Sequence, residues 1–526
     1  VAVLVCCIVL ALSLTVVPAA PAQWIVVSAP AFRESLGPLL EHRRAEGMDV
    51  VVVQTNDALS NDDIRRGNAG PLRDRVHKLC RRHKGPSYVL LVGAVAGVGE
   101  DATRIVVPPT RGSVGRMRGE PTDSAYGCPG GGELPTVAVG RFPARTAEEA
   151  RGMVAKTLHY EMDRRPGTWR RRLTVLAGIP AYNPVVDRLV EGLALSRFDR
   201  LDAAWTGRAL YSNPQSRFGV PDERLHGRAE SYVEDGQAFI LYLGHSSARG
   251  LYGGRAAYLD REDWARLHIA RGPGVLFTFG CNGCQLAGVD GEGYGVAAMR
   301  NPHGPAAVVG SHGICFAAMV QLGAGGLFER CFAGALPGRL ADAWLAVEAG
   351  IARGSIDALT YRLLDAMDGD SAVPQAVQRQ EHLEMFVLLG DPALRLPQVA
   401  ADVVLDAPGP VVPGEALSVR GRLPPRLAGA RVHVTLERPV SAAPAELEPV
   451  PAGPGRDRVM LANHERANDF VVTGAEVDAR DGHFRAQLPV PDRLPWRRVV
   501  LRAYARTGEA EGLAVQALAV RRPGRP

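Results

Sequence analysis

The chain has 526 residues, and at one domain per ~150 residues that length allows three or four units. Its 46% hydrophobic and 22% charged residues are a globular composition, which excludes global disorder and collagen-like repeats. The 61 basic residues, all arginine except Lys78, Lys84 and Lys156, are scattered and nearly balanced by 56 acids, so no basic face or tail invites a nucleic acid.

Residues 1–17 are an apolar run without charge, followed by the small-x-small site Ala20-Pro21-Ala22. This reads as an export signal, residues 1–22, cleaved after Ala22. The expected location is then secreted, periplasmic or cell surface. A retained anchor is the alternative, since the run sits at the short edge of a spanning helix. Cleavage would remove Cys6 and Cys7 and leave cysteines at 80, 128, 281, 284, 315 and 331.

Residues 24–27 read as a strand, and Phe32, Leu36, Leu39, Leu40 and Arg43 mark a helix that Gly47 caps. Residues 50–53 are a continuous apolar strand, completing a βαβ unit and implying a parallel sheet. A polar helix over 62–83 leads to a strand at 88–92, and a strand at 137–139 leads to a helix over 146–162. Strand 173–176, helix 185–197 and strands 239–243, 275–279 and 306–309 follow. These apolar runs lack alternation, as expected of strands covered on both faces. Residues 23–398 therefore read as one large α/β unit, or as two α/β subdomains, 23–165 and 166–398. From 399 to 526 the pattern changes to seven short alternating strands divided by Pro/Gly turns, which predicts an all-β, immunoglobulin-like sandwich. Segment 441–468 reads as a long surface loop.

Two strand ends carry chemistry. One reads Leu243-Gly244-His245-Ser246-Ser247, the other Phe279-Gly280-Cys281-Asn282-Gly283-Cys284. Ligands bind at the carboxyl ends of strands in open α/β sheets. If these strands are neighbours, His245 and Cys281 share one edge. A thiolate beside an imidazole is a minimal nucleophilic pair for acyl transfer, and the glycines let backbone N–H groups face an oxyanion.

Other readings use the same residues. Cys281 and Cys284 form a C-x-x-C, which suits a redox pair, half a zinc site or a bland second thiol open to regulatory oxidation. His245, Cys281, Cys284 and His312, with Cys315 nearby, would be the zinc cluster. Gly244-His245-Ser246-Ser247-Ala248 nearly spells a nucleophile elbow, which would make Ser246 a serine-hydrolase nucleophile.

Several segments, in order, resemble the gingipain-type cysteine peptidases of the caspase/legumain/gingipain superfamily. They are Leu90-Leu91-Val92-Gly93, Thr122-Asp123-Ser124-Ala125-Tyr126-Gly127, and Gly140-Arg141-Phe142-Pro143 with Glu149, Lys156, Tyr160 and Glu161, then Gly244-His245 and Gly280-Cys281. Leu388-Leu389-Gly390-Asp391-Pro392-Ala393-Leu394 closes the series. The resemblance implies a caspase-like, mostly parallel sheet flanked by helices and an exported endopeptidase acting on protein or peptide substrates, with possible association with the cell surface. His245 is then the catalytic histidine and Cys281 the nucleophile. The backbone N–H groups of Ser246 and Cys281 form the oxyanion hole, although Ser246 replaces the family's glycine. Asp187 lies near the family's pocket acid, so it would orient His245, bind a basic P1 side chain or cap its helix. Asp123 is expected at a turn, or in a site or calcium-related role. No cofactor is required, with structural calcium the one exception. A scaffold that has lost activity and serves adhesion is the non-enzyme alternative.

Overall fold

The computed structural model describes residues 20–96, 102–180, 184–198, 200–254, 257–288, 291–368, 373–406 and 409–521. The expected export segment, 1–22, lies almost wholly outside these. Among the described residues no helix is long and apolar enough to cross a membrane.

Ten strands form one sheet: β1 (Gln23–Ser28), β2 (Asp49–Gln54), β3 (Ser87–Val92), β4 (Ala138–Phe142), β5 (Arg172–Ala177), β6 (Thr206–Tyr211), β7 (Gln237–Leu243), β8 (Pro273–Phe279), β9 (Ala307–Ser311) and β10 (Phe386–Leu389). Their order is β2-β1-β3-β4-β10-β9-β8-β7-β5-β6. Every neighbouring pair is parallel except β9 and β10, which run antiparallel. The sheet is thus two parallel halves running in opposite directions. β10 comes from the end of the α/β chain yet aligns with the N-terminal strands. As a result, the carboxyl ends of β5, β7, β8 and β9 all open on one edge.

The absence of alternation in β7 and β8 follows from burial on both faces. Phe239, Leu241, Val275 and Phe277 join one core, while Ile240, Tyr242 and Leu276 join the core on the other face. Each such side chain contributes ~1.5–3 kcal/mol by leaving water. The expected helix over 62–83 is instead two helices, Asn61–Arg66 and Gly70–Arg82, because Gly67 at φ 65° ends the first with a left-handed cap. β6 and β10 escape pattern reading, since β6 is half polar and β10 has only four residues.

A buried ionic frame ties the N-terminal half to its last strand. The Arg43 guanidinium donates to Asp391 (Nη2, 2.8 Å), Glu161 (Nη1, 2.8 Å) and Glu46 (Nη1, 2.7 Å). Trp24 Nε1 donates to the other Asp391 oxygen at 3.0 Å. Lys156 Nζ, also buried, caps the end of helix Tyr294–Arg300 by donating to the carbonyls of Met299 and Asn301, both at 2.7 Å.

The C-terminal strands are β11 (Val404–Asp406), β12 (Ala416–Arg422), β13 (Arg431–Glu437), β14 (Val471–Asp478), β15 (His483–Pro489), β16 (Arg498–Arg506) and β17 (Glu511–Ala519). They form two antiparallel sheets, β11-β12-β15 and β14-β13-β16-β17. Val419 and Leu488 of one sheet and Val434 and Leu501 of the other share one core, making a β-sandwich. The expected loop 441–468 instead contains helix Arg456–Asn468. That helix docks the sandwich onto the α/β unit, since His464 Nδ1 donates to the Phe218 carbonyl (2.9 Å) and Nε2 accepts from the Tyr232 hydroxyl (2.7 Å). Arg502 reinforces the contact through the carbonyls of Ala203 (2.7 Å) and Ala204 (2.9 Å).

Candidate active site

β7 and β8 are neighbours, with Leu243 paired to Phe279. His245 and Cys281 each lie two residues beyond that pair, side by side on strands spaced about 4.8 Å apart. Glycine makes the arrangement possible. Gly244 has φ +153°, and a Cβ there would lie 2.9 Å from both the Cα and the N of Gly178, at the end of β5. At Gly280 a Cβ would lie 2.3 Å from Ser246 Oγ, so the histidine and cysteine loops touch. Past the cysteine the chain turns sharply through Asn282, a non-glycine residue at φ 57°. That turn is fastened to the end of β9 by Asn282 N–H to Gly313 O (2.9 Å) and Cys284 N–H to Ser311 O (2.8 Å).

His245 is exposed, and its Nε2 lies 3.2 Å from the carbonyl of Pro180. A carbonyl only accepts, so Nε2 carries the hydrogen and Nδ1 keeps its lone pair. The Pro180 carbonyl is thus a main-chain partner of the ring. Asp187 is buried in the first turn of helix Pro184–Phe198, beyond the carboxyl end of β5. Its neighbour Tyr211 is pushed up to about 12, first by burial and further by the charges of Glu191 and Asp187.

Ser246 pairs with Leu251 in a short hairpin, and among the described residues only Asn282 and Asp481 are non-glycine with positive φ. Serine therefore sits without strain where the family's glycine was expected. Tyr252 N–H donates to the His245 carbonyl, making 245 and 252 the hydrogen-bonded pair, so the Ser246 N–H turns away from the hairpin partner. The Ser246 hydroxyl donates to the Cys281 carbonyl at 2.7 Å. The elbow reading is corrected on two grounds: the hydroxyl is spent on a carbonyl, and the chain runs into a hairpin rather than a helix.

The C-x-x-C reading also changes. Cys284 is fully buried, and burial pushes its thiol well up, so it packs as a core residue. His312 Nδ1 accepts the Leu286 N–H at 2.9 Å. Among the described residues, the His/Cys/Asp/Glu group close enough to share an ion is His42, Glu46 and Glu161, so the expected zinc cluster is not assembled. Glu161 and Glu46 there are already held by Arg43. Asp123 is buried and accepts from Arg141 through both oxygens, each at 2.7 Å.

Two features escaped sequence reasoning. Pro180 acts through its main chain, which leaves no side-chain signal. Cys315 N–H donates to Cys281 Sγ at 3.4 Å, and the Cys315 thiol donates to the Gly280 carbonyl at 3.5 Å, one residue before Cys281. That contact becomes visible only once β9 is known to lie beside β8.

A sequence model of peptidase family C25 matches residues 17–397. The chain belongs to peptidase family C25, the gingipain family. No curated protein matches. The solved structure of the Arg-specific cysteine proteinase gingipain R (RgpB) is 15% identical, covers 95% of this chain and 98% of its own, and superposes with TM-score 0.53. A complex of Porphyromonas gingivalis RgpB pro- and mature domains is 15% identical, covers 95% of this chain and 100% of its own, and has TM-score 0.51. At that identity these structures establish the fold. This C25 chain is therefore a cysteine-type peptidase that acts on proteins or peptides. Most of the motifs that carried the resemblance build its frame: Asp123 pairs with Arg141, Glu161 and Asp391 share Arg43, and Lys156 caps a helix.

Proposed function

We propose that this peptidase cleaves peptide bonds with Cys281 as nucleophile and His245 as its acid–base partner. The Cys281 thiol gives its proton to His245 Nδ1, and the thiolate adds to the scissile carbonyl. The backbone N–H groups of Ser246 and Cys281 hold the oxyanion. Imidazolium His245 then protonates the departing amine, leaving a thioester. His245 next takes a proton from water, which adds to the thioester and releases the acid and free Cys281. The observation that supports the reading is the pairing of Leu243 with Phe279, since His245 and Cys281 each follow that pair by two residues, with His245 Nε2 on the Pro180 carbonyl.

A peptidyl acyloxymethyl ketone should label Cys281, and His245→Ala should slow labelling and peptide cleavage by ~10²-fold or more. Cleavage that survives Cys281→Ala would refute the assignment. A basic P1 preference is the finer proposal, supported by the buried Asp187 near the same edge. Asp187→Asn should reduce the ratio of Arg to Leu substrates at P1, and an unchanged ratio would sink that preference. Export rests on residues 1–22, and association with the cell surface follows from it. Mature protein beginning at Gln23 outside the cytoplasm supports export, and an intact apolar leader opposes cleavage. The immunoglobulin-like character of the sandwich is supported by its seven antiparallel strands.

A further inference from the structure

We propose that Cys315 is a resolving cysteine, which closes a reversible disulfide onto Cys281 after a hydroperoxide oxidises Cys281. The proposal rests on Cys281 being the nucleophile, and it assigns a modification site to the same edge.

The geometry comes from two neighbouring strands. Thr278 of β8 pairs with Gly310 of β9, so the loops that follow them emerge side by side. Cys315 lies in the loop after β9, where its N–H reaches Cys281 Sγ (3.4 Å) and its thiol reaches the carbonyl of Gly280, the residue before Cys281 (3.5 Å). Neither cysteine is in a disulfide, and Cys281 is half-buried, open to a molecule as small as hydrogen peroxide. Residues 312–316 lie outside helix and strand, which leaves the chain room to bring the two sulfurs to a bond of about 2.05 Å. Cys284, the C-x-x-C partner in sequence, is enclosed in the core and cannot take this role.

The pair is chemically unequal. The Cys281 contact first, and burial second, push the Cys315 thiol well above its ordinary range. Cys315 therefore keeps its proton, and the nucleophile the peroxide meets is Cys281, the thiolate of the proposed mechanism. In the first step the Cys281 thiolate attacks one peroxide oxygen and the O–O bond breaks. The other oxygen leaves as hydroxide, becoming water with a solvent proton, and Cys281 is a sulfenic acid. In the second step the Cys315 sulfur attacks the Cys281 sulfur. Hydroxide leaves with the Cys315 proton as water, and the disulfide forms. Two thiols have lost two electrons and one hydroperoxide has gained them. A dithiol reductant reverses the outcome by exchange. Without Cys315, the sulfenic acid stays open to a second peroxide and an irreversible sulfinic acid.

The test treats the full-length protein with a few equivalents of hydrogen peroxide. Peptides are then mapped without reduction, and activity is measured before and after dithiothreitol, relative to each protein's own starting value. Wild-type protein should yield a linked Cys281–Cys315 peptide and regain most of its activity. Cys315→Ser should regain less than about one-fifth, with Cys281 heavier by about 32 Da, the mass of two oxygens. Cys315→Ala repeats the comparison should the serine variant fold poorly, and the wild-type map needs no variant. Equal recovery in wild type and variant, or a wild-type map with oxidised Cys281 and free Cys315, overturns the proposal. A linked peptide in a protein whose cleavage does not depend on Cys281 would instead sink the nucleophile assignment and leave the disulfide standing.

Discussion

Gly244→Ala tests how the site is built. At φ +153° an alanine is strained by ~1–3 kcal/mol. Its Cβ would also meet the Gly178 Cα and N at 2.9 Å and the Tyr242 hydroxyl at 2.8 Å. Two of those contacts are backbone, which cannot rotate aside, and overpacking of this kind costs ~1–3 kcal/mol more. The expected loss of stability is about 2–6 kcal/mol. Relief requires the ends of β5 and β7 to part by roughly half an ångström, and His245 is the very next residue. A misplacement of about 1 Å costs ~10²-fold in rate, so kcat/KM should fall ~10- to 100-fold. The assays are peptide hydrolysis and denaturant unfolding, with Gly227→Ala as control. Gly227 lies in helix Asp222–Glu234 with nothing within 4 Å of an added Cβ, so alanine there should be neutral or stabilising by up to ~1 kcal/mol. Activity of Gly244→Ala within threefold of wild type, with stability within ~1 kcal/mol, would refute the reasoning.

Arg43→Met leaves the buried carboxylates of Asp391 and Glu161 without their guanidinium, and should cost about 3–5 kcal/mol in denaturant unfolding. A loss under ~1 kcal/mol would mean that the frame is not held by this pair. Lys156→Met probes pH dependence. Burial pushes the Lys156 ammonium down to about 7, whereas an unfolded lysine titrates near ~10.4. Between those values the unfolded chain binds the extra proton, so this contribution to stability rises with pH and is lost as pH falls toward 7. Wild type should therefore gain about 2 kcal/mol over Lys156→Met between pH 7 and pH 9. Parallel unfolding curves for the two proteins across that range would show that Lys156 stays charged in its cage of carbonyls.

Much of the α/β unit was legible because its strands are buried on both faces and end in glycine. Runs such as Phe-Ile-Leu-Tyr-Leu before Gly244 announce themselves without any partner. β6 and β10 did not, because their strand state comes from neighbours: β10 is wedged between β4 and β9 by their pairing. Helix Arg456–Asn468 hid in a stretch whose sequence resembles a loop, since its docking side chains, His464 and Asn468, are polar. At the site, residue types alone left open a zinc cluster, a redox C-x-x-C and a serine nucleophile. Burial of Cys284 and the bond from the Ser246 hydroxyl to the Cys281 carbonyl remove the last two, and neither is written in spacing.

By itself the sequence determined the class of fold, its division into an α/β unit and a β-rich tail, and the two residue types at the strand ends. It did so because periodicity, glycine and the chemistry of thiol and imidazole are local properties. Strand order is not local. Only the tertiary structure decided that β7 lies beside β8 and β8 beside β9, because parallel neighbours are joined through long crossovers that carry no register. From that order come the Pro180 carbonyl on His245 and the Cys315 N–H on Cys281.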